Sequence, residues 1–96
     1  MKAIHVEEVE VRVKGREAVF KGTVMQCFAY IYDFVKKYFM ERMSYTHVDV
    51  EVAASSENYI KRLLVLLKET GIIVHVIKRS KRGAELRIRN PYMWRR

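Results

Sequence analysis

The sequence is poor in the residues that mark disulfide-bonded, fibrous or disordered proteins. It contains one cysteine, one proline and four glycines among 96 residues. A single cysteine, Cys27, cannot form an internal disulfide, and so little proline and glycine excludes a collagen-like fibre or a flexible linker. Half of the residues are hydrophobic, which excludes an intrinsically disordered chain. We therefore expect a single domain over residues 1–96.

Long apolar runs are also missing. The longest mostly apolar stretch, residues 24–35, contains Gln26 and Asp33 and is too short to span a bilayer. The first eight residues lack the apolar run of a signal peptide, so we expect a cytoplasmic protein that does not enter a membrane. Amide side chains are few as well, only Gln26, Asn58 and Asn90, and this composition is typical of proteins from hyperthermophiles.

The positive charge is concentrated at the C-terminal end. The net charge is +8, and residues 78–96 hold eight basic residues and one acid, Glu85. The rest of the chain is therefore almost neutral. A block of cations usually meets a polyanion such as a nucleic acid, whereas a charge that only aids solubility need not gather at one end.

Strands are predicted in both halves of the chain. Alternation of apolar and polar residues predicts strands over residues 8–14, 45–53 and 84–89. Residues 17–21 could return as a short second strand after a turn at Gly15, which tolerates positive φ. Residues 72–77 are apolar on both faces apart from His75, which predicts a central strand with His75 in the interior.

Two helices separate these strands. Apolar residues at spacings of three and four predict a first helix from Thr23, its N-cap, to about Met43. The second begins at Ser55 or Ser56 and ends at Gly71 in a left-handed C-cap. The order β-(β)-α-β-α-β-β predicts an α+β domain with both helices packed on one face of a four- or five-stranded mixed sheet.

The open face of this sheet would carry charges of both signs that can pair across strands. These residues are Glu8, Glu10, Arg12, His47, Asp49, Glu51, Arg87 and Arg89. His47, Asp49 and Glu51 share one strand face and in principle could hold a divalent metal for phosphodiester hydrolysis. We favour salt bridges with neighbouring arginines instead, because no further acid cluster reinforces a metal site, and we expect no cofactor.

The candidate nucleic-acid site is residues 78–96, which form a basic hairpin over residues 78–89, with its turn at residues 80–83, and the tail that follows it. Lysine and arginine can hold phosphate oxygens, and a two-stranded ribbon can enter a groove of duplex DNA. Tyr92 and Trp94 could stack on unpaired bases or, alternatively, pack over the sheet edge. The candidate residues are Lys78, Arg79, Lys81, Arg82, Arg87, Arg89, Tyr92, Trp94, Arg95 and Arg96.

The first helix carries a broad apolar and aromatic arc. Its aromatic residues are Phe28, Tyr30, Tyr32, Phe34, Tyr38 and Phe39. Such an arc indicates core packing or a subunit contact, so we expect a homodimer formed through residues 24–43. Tyr30 lies among polar residues and is a minor candidate for base stacking. Cys27 has no histidine or acid nearby in sequence that would make it a nucleophile.

The element order, with its basic final hairpin, resembles the Alba family of archaeal chromatin and RNA-binding proteins. It is also similar to the C-terminal domain of bacterial translation initiation factor 3. Before the first helix stands Phe20-Lys21-Gly22-Thr23-Val24-Met25, where Alba proteins carry Gly-Lys-Lys-Pro-Val-Met. The resemblance implies a homodimer that binds DNA or RNA with little sequence preference and assigns a nucleic-acid contact to Lys21. The second lysine is missing, and Ala53-Ala54-Ser55-Ser56 replaces the Arg-Gly-Arg that precedes the second Alba helix.

These observations predict a small nucleic-acid-binding protein without enzymatic activity, whose binding is largely electrostatic and low in sequence specificity. The first alternative is a homodimeric interaction or assembly protein whose basic end meets an acidic partner. The second is a metal-dependent nuclease that uses His47, Asp49 and Glu51.

Overall fold

A computed structural model describes residues 7–93 of the chain. Its elements are β1 (Val9–Val13), β2 (Val19–Gly22), α1 (Val24–Glu41), β3 (His47–Ala54), α2 (Glu57–Glu69), β4 (Val74–Ser80) and β5 (Gly83–Arg89). The predicted element order and the α+β class are confirmed, and the short second strand is present.

The five strands form one sheet in the order β2-β1-β3-β5-β4, and every pairing is antiparallel. We expected a mixed sheet, but the two strands that each helix joins, although they run in the same direction, are not neighbours. In the structure β1 lies between β2 and β3, and β5 lies between β3 and β4. Each helix therefore spans a split β-α-β unit, and β3 belongs to both units.

Both helices cover the same face of the sheet, as predicted. Alternate residues of β1, β3 and β5 are buried beneath them in a single hydrophobic cluster. The helices contribute Val24, Cys27, Ile31, Val35, Phe39, Ile60, Leu63, Leu64 and Leu67 to this cluster. Within the described residues, neither helix combines the length and the apolar character needed to cross a membrane.

The predicted caps and turns are confirmed. Thr23 caps α1 in a capping box: its hydroxyl accepts from the Gln26 N–H at 3.1 Å, and the Gln26 side chain accepts from the Thr23 N–H at 2.9 Å. Ser56 caps α2, and Gly71 follows that helix with φ 89°. Gly15 has φ 91° in the turn between β1 and β2, a conformation that side chains with a Cβ rarely adopt.

The prediction that residues 72–77 form a central strand is wrong. β4 is an edge strand, because β5 returns along the chain and inserts between β3 and β4. His75 is exposed rather than interior, and Ile73 and Ile77 keep 55% and 43% of their surface in solvent. An apolar run of this length does not reveal which of its edges is paired, so the sequence alone could not place it.

Candidate nucleic-acid interface

The basic hairpin is part of the sheet and does not project from it. β5 pairs with β3 over its whole length, from Arg89 opposite His47 to Gly83 opposite Ala53. The turn is held as well, because the Ala54 N–H donates to the carbonyl oxygen of Arg82 at 2.9 Å. Among residues 7–93, the turn and the outer edge of β4 are therefore the parts of the hairpin whose backbone no further strand pairs.

Four basic residues lie at this turn, and we call them the tip cations: Lys78, Arg79, Lys81 and Arg82. Lys81 and Arg82 form the turn itself and are exposed. Lys78 stands opposite Glu85 on the open face, and Arg79 reaches toward α2, where its Nη2 lies 3.8 Å from Glu57. In the described part of the chain, the other three tip cations have no acid at salt-bridge distance.

Two lysines of α2 extend this positive surface, although their positions in the sequence did not indicate it. Lys61 and Lys68 follow Glu57 at helical spacings of 4 and 11 residues, so all three share one flank of α2. Because Glu57 contacts Arg79, that flank faces β4. Both lysines are exposed. Helical periodicity places them together, but only the sheet order shows that they lie beside β4.

Arg87 and Arg89 do not join the tip cations. Arg87 donates to both carboxylate oxygens of Asp49, at 2.9 and 3.0 Å, and this hydrogen bonding holds the pKa of Asp49 below its usual value. Arg89 is the last residue of β5 and lies at the end of the sheet farthest from the turn. Seven strand residues separate the two ends of β5 by about 20 Å.

Tyr92 also lies at the far end of the sheet. The Asn90 N–H donates to the Thr46 carbonyl at 2.9 Å, and the Asn90 side chain accepts from the Tyr92 N–H at 2.8 Å. The Tyr92 side chain is half-buried and packs against the core. The structure therefore separates Tyr92 from the tip cations, although the sequence grouped them. Trp94, Arg95 and Arg96 lie outside the described residues.

Lys21 lies at the same end of the sheet as the turn but on its opposite edge. Its Nζ is 3.7 Å from Glu10. A shallow groove of about 810 Å³ crosses the open face from β2 to β4, and charged residues of both signs line it: Glu10, Arg12, Glu51, Lys78, Arg79 and Glu85. The three carboxylates disfavour a phosphate deep in the groove, so phosphates would meet the tip cations on its β4 side.

The open face itself is covered by cross-strand ion pairs, as predicted. Arg12 hydrogen-bonds Glu51, its direct partner across β1 and β3, and this lowers the pKa of Glu51. Lys14 Nζ lies 2.6 Å from Glu85. These ion pairs largely neutralise the charge of the open face, so this face is not the main surface that would attract a polyanion.

The same pairs bear on the metal hypothesis. Asp49 is engaged by Arg87 and Glu51 by Arg12, so neither carboxylate is directed at a shared point with His47. Over residues 7–93, no three His, Cys, Asp or Glu side chains are arranged to hold a metal ion. Cys27 is equally unsuited to catalysis, because burial raises the pKa of its thiol to about 11.

The aromatic residues of α1 form a stacked column. Phe20 of β2 stacks on Tyr30 with 4.5 Å between ring centroids, and the column continues through Phe34 and Tyr38. The guanidinium of Arg42 lies over Tyr38, 4.5 Å from the ring centroid. Phe20 covers one face of Tyr30, so this ring is not an open platform for a base. Sequence spacing identified the rings but not their mutual stacking.

The outward face of α1 is mixed in character. Most of its apolar arc is turned toward the sheet and α2, as the burial of Ile31 and Val35 shows. Met25 and Met40 are its exposed large apolar residues, at 56% and 66%. Among the exposed residues between them are Asp33 and further charged side chains.

Comparison with known proteins adds no family to this description: no family model, no curated protein and no solved structure matches the chain significantly.

Proposed function

We propose that this chain is a small, non-enzymatic nucleic-acid-binding protein whose main contact is the tip cations. The observation that carries the proposal is the presence of Lys78, Lys81 and Arg82 at one corner of the molecule, without acids at salt-bridge distance in the described structure. A site of this kind attracts phosphate oxygens, and Lys61 on α2 extends it. A cytoplasmic location belongs to the same proposal.

Low sequence specificity follows from what surrounds the tip cations. Reading a base requires a rigid fork or an open ring held against the base edge or face. The tip cations are exposed or only lightly held, Tyr30 is covered by Phe20, and Tyr92 is at the other end of the sheet. The contacts therefore go mainly to the backbone of the nucleic acid.

The experiment is a salt titration of binding to single- and double-stranded DNA and RNA, followed by fluorescence anisotropy. Roughly four to six phosphate contacts give a log–log slope near −4 to −5 on duplex DNA. Replacing all four tip cations by glutamine should reduce that slope by about 3 to 4. The expected readout is a flatter salt dependence with weaker binding at low salt.

The matched control removes four cations elsewhere, so that both variants lose the same net charge. These are Arg16, Lys36, Lys37 and Arg42, which lie on or beside α1. The control should keep most of the slope. A tip variant with an unchanged slope, or equal losses in both variants, would place the binding surface elsewhere.

A homodimer through α1 is also part of the proposal, and exposed Met25 and Met40 support it. Replacing both by glutamate should convert a dimer to a monomer in light scattering, because a dimer contact at these positions would then have to desolvate a charge. A monomeric native protein at high concentration would refute this contact. We do not propose the nuclease, since arginines hold Asp49 and Glu51.

The interaction-protein alternative is favoured by one specific feature. Val76 and Ile77 of β4 and Ile73, just before it, are exposed, and phosphate binding gives no reason for large aliphatic side chains there.

A further inference from the structure

The outer edge of β4 has unpaired backbone groups. The Arg89 N–H donates to the carbonyl of Ile73 at 3.0 Å, which makes Val74 and Ile88 a pair without direct hydrogen bonds. Since antiparallel pairs alternate, the N–H and C=O groups of Val74 and of Val76 point away from β5. No strand beyond β4 covers them among residues 7–93.

The same edge exposes aliphatic side chains. Ile73 is 55% exposed, Val76 40% and Ile77 43%. Val76 stands opposite the buried Leu86, so its side chain lies on the helix-covered side of the sheet. An extended segment added to β4 would bury these side chains together with the free backbone groups.

The charge around the edge is positive. β4 contains Lys78 and Arg79 and no acid, and Lys61 and Lys68 flank it on α2. Glu57, the acid on that flank of α2, is near Arg79. The edge is therefore complementary to a segment that carries carboxylates.

The edge is protected over only part of its length. A register shift interrupts the pairing with β5 between Val76 and Lys78, and bulges and charged residues are two devices that discourage strand addition. Both devices fall in residues 77–79. Residues 73–76 keep regular geometry, and all of them except the exposed His75 have aliphatic side chains. An added strand can therefore pair there while its acids reach Lys78 and Arg79.

We propose that the β4 edge binds an extended segment of a partner protein, built of alternating acidic and aliphatic residues, which adds a sixth strand to the sheet. A second copy fits less well, because a β4–β4 pairing supplies no acid to the basic side chains. The proposal goes beyond nucleic-acid binding, because it uses backbone groups and aliphatic side chains that phosphates do not need, but it shares Lys78 and Arg79 with the tip cations.

The probe is a labelled eight-residue peptide of alternating glutamate and valine, whose binding is followed by anisotropy. Two control peptides replace glutamate by lysine, or carry N-methyl groups on the backbone nitrogens that would face β4. Each control should bind at least about tenfold more weakly, because one lacks charge complementarity and the other lacks strand hydrogen bonds. Equal binding of the N-methylated peptide would refute strand addition.

The protein variant is Val76→Pro, with Val76→Thr as its control. The Val76 N–H points outward, so proline removes a donor from the edge and none from the β4–β5 pairing. Peptide affinity should fall about tenfold in the proline variant and stay near native in the threonine variant. Circular dichroism checks folding, and the peptide controls decide the question if proline unfolds the chain.

Two further outcomes would overturn the proposal. A native dimer that Val76→Pro dissociates would mean that a second copy occupies the edge. A loss of nucleic-acid affinity in Val76→Pro as large as the loss of peptide affinity would mean that nucleic acid occupies it. The two proposals can fail separately. Nucleic-acid binding is tested by the variant that lacks the tip cations, whereas strand addition is tested by comparing the peptide with its N-methylated form on the native protein.

Discussion

Asn90 is a buried polar residue that fixes the end of the sheet opposite the turn. Its amide donates to the carbonyls of Met43 and Tyr45, at 3.0 and 2.7 Å, and 5% of its surface is exposed. Nothing in the sequence marks Asn90 for this role, because Pro91, which follows it, indicates only where a strand ends. Its role depends on a loop 45 residues earlier, which local pattern cannot show.

Asn90→Ala should lower the free energy of unfolding by about 1–3 kcal/mol, because the two carbonyls lose their buried donor. Urea denaturation measures the change. Asn58→Ala is the control, since Asn58 is exposed on α2, and it should stay within about 0.5 kcal/mol of the native value. Equal effects of the two substitutions would contradict the role assigned to Asn90.

At the scale of elements, the pairing of β3 with β5 brings Asp49 and Arg87 directly opposite each other. The two-point contact is partly shielded, with 18% of the Asp49 side chain and 44% of the Arg87 side chain exposed. Solvent screening reduces its contribution, so Asp49→Asn should lower the free energy of unfolding by about 1 kcal/mol at pH 7.

This difference should depend on pH in one direction. The pKa of Asp49 is lower in the folded state than in the unfolded state, so its contribution is complete above the unfolded pKa of about 4 and is lost as the pH falls through the folded pKa. Urea unfolding at pH 7, 4 and 3 should show native protein and Asp49→Asn converging. A gap that widens at pH 3 would exclude this ion pair as its cause.

The elements also show where sequence pattern reaches its limit. Thr23, the pair Ser55 and Ser56, and Gly71 predicted the helix boundaries correctly to within two residues, because caps are local chemistry. The position of β4 in the sheet, in contrast, is determined by contacts between residues distant in sequence. Its neighbours are set by the return of β5 along β3, and the same event leaves Ile73 and Ile77 in solvent.

For the whole molecule, the sequence predicted a single cationic end, and the structure distributes those cations differently. A seven-residue strand spans about 20 Å. Lys81 precedes β5 and Arg89 ends it, so these two residues, although close in sequence, lie at opposite ends of the sheet. Arg87 is paired with Asp49 in the middle. The tip cations remain together, and helix α2 adds Lys61 from a part of the chain that appeared neutral.

The position of β3 in the sheet has a consequence for how the domain unfolds. β3 is hydrogen-bonded to β1 on one side and to β5 on the other, so it joins two hairpins distant in sequence. A two-stranded hairpin is at best marginally stable in water, and neither would persist alone once β3 detached. Cleavage of the chain before His47 would therefore leave both fragments without a complete core. For the same reason, the intact domain should unfold in a single cooperative transition and not as two separate halves.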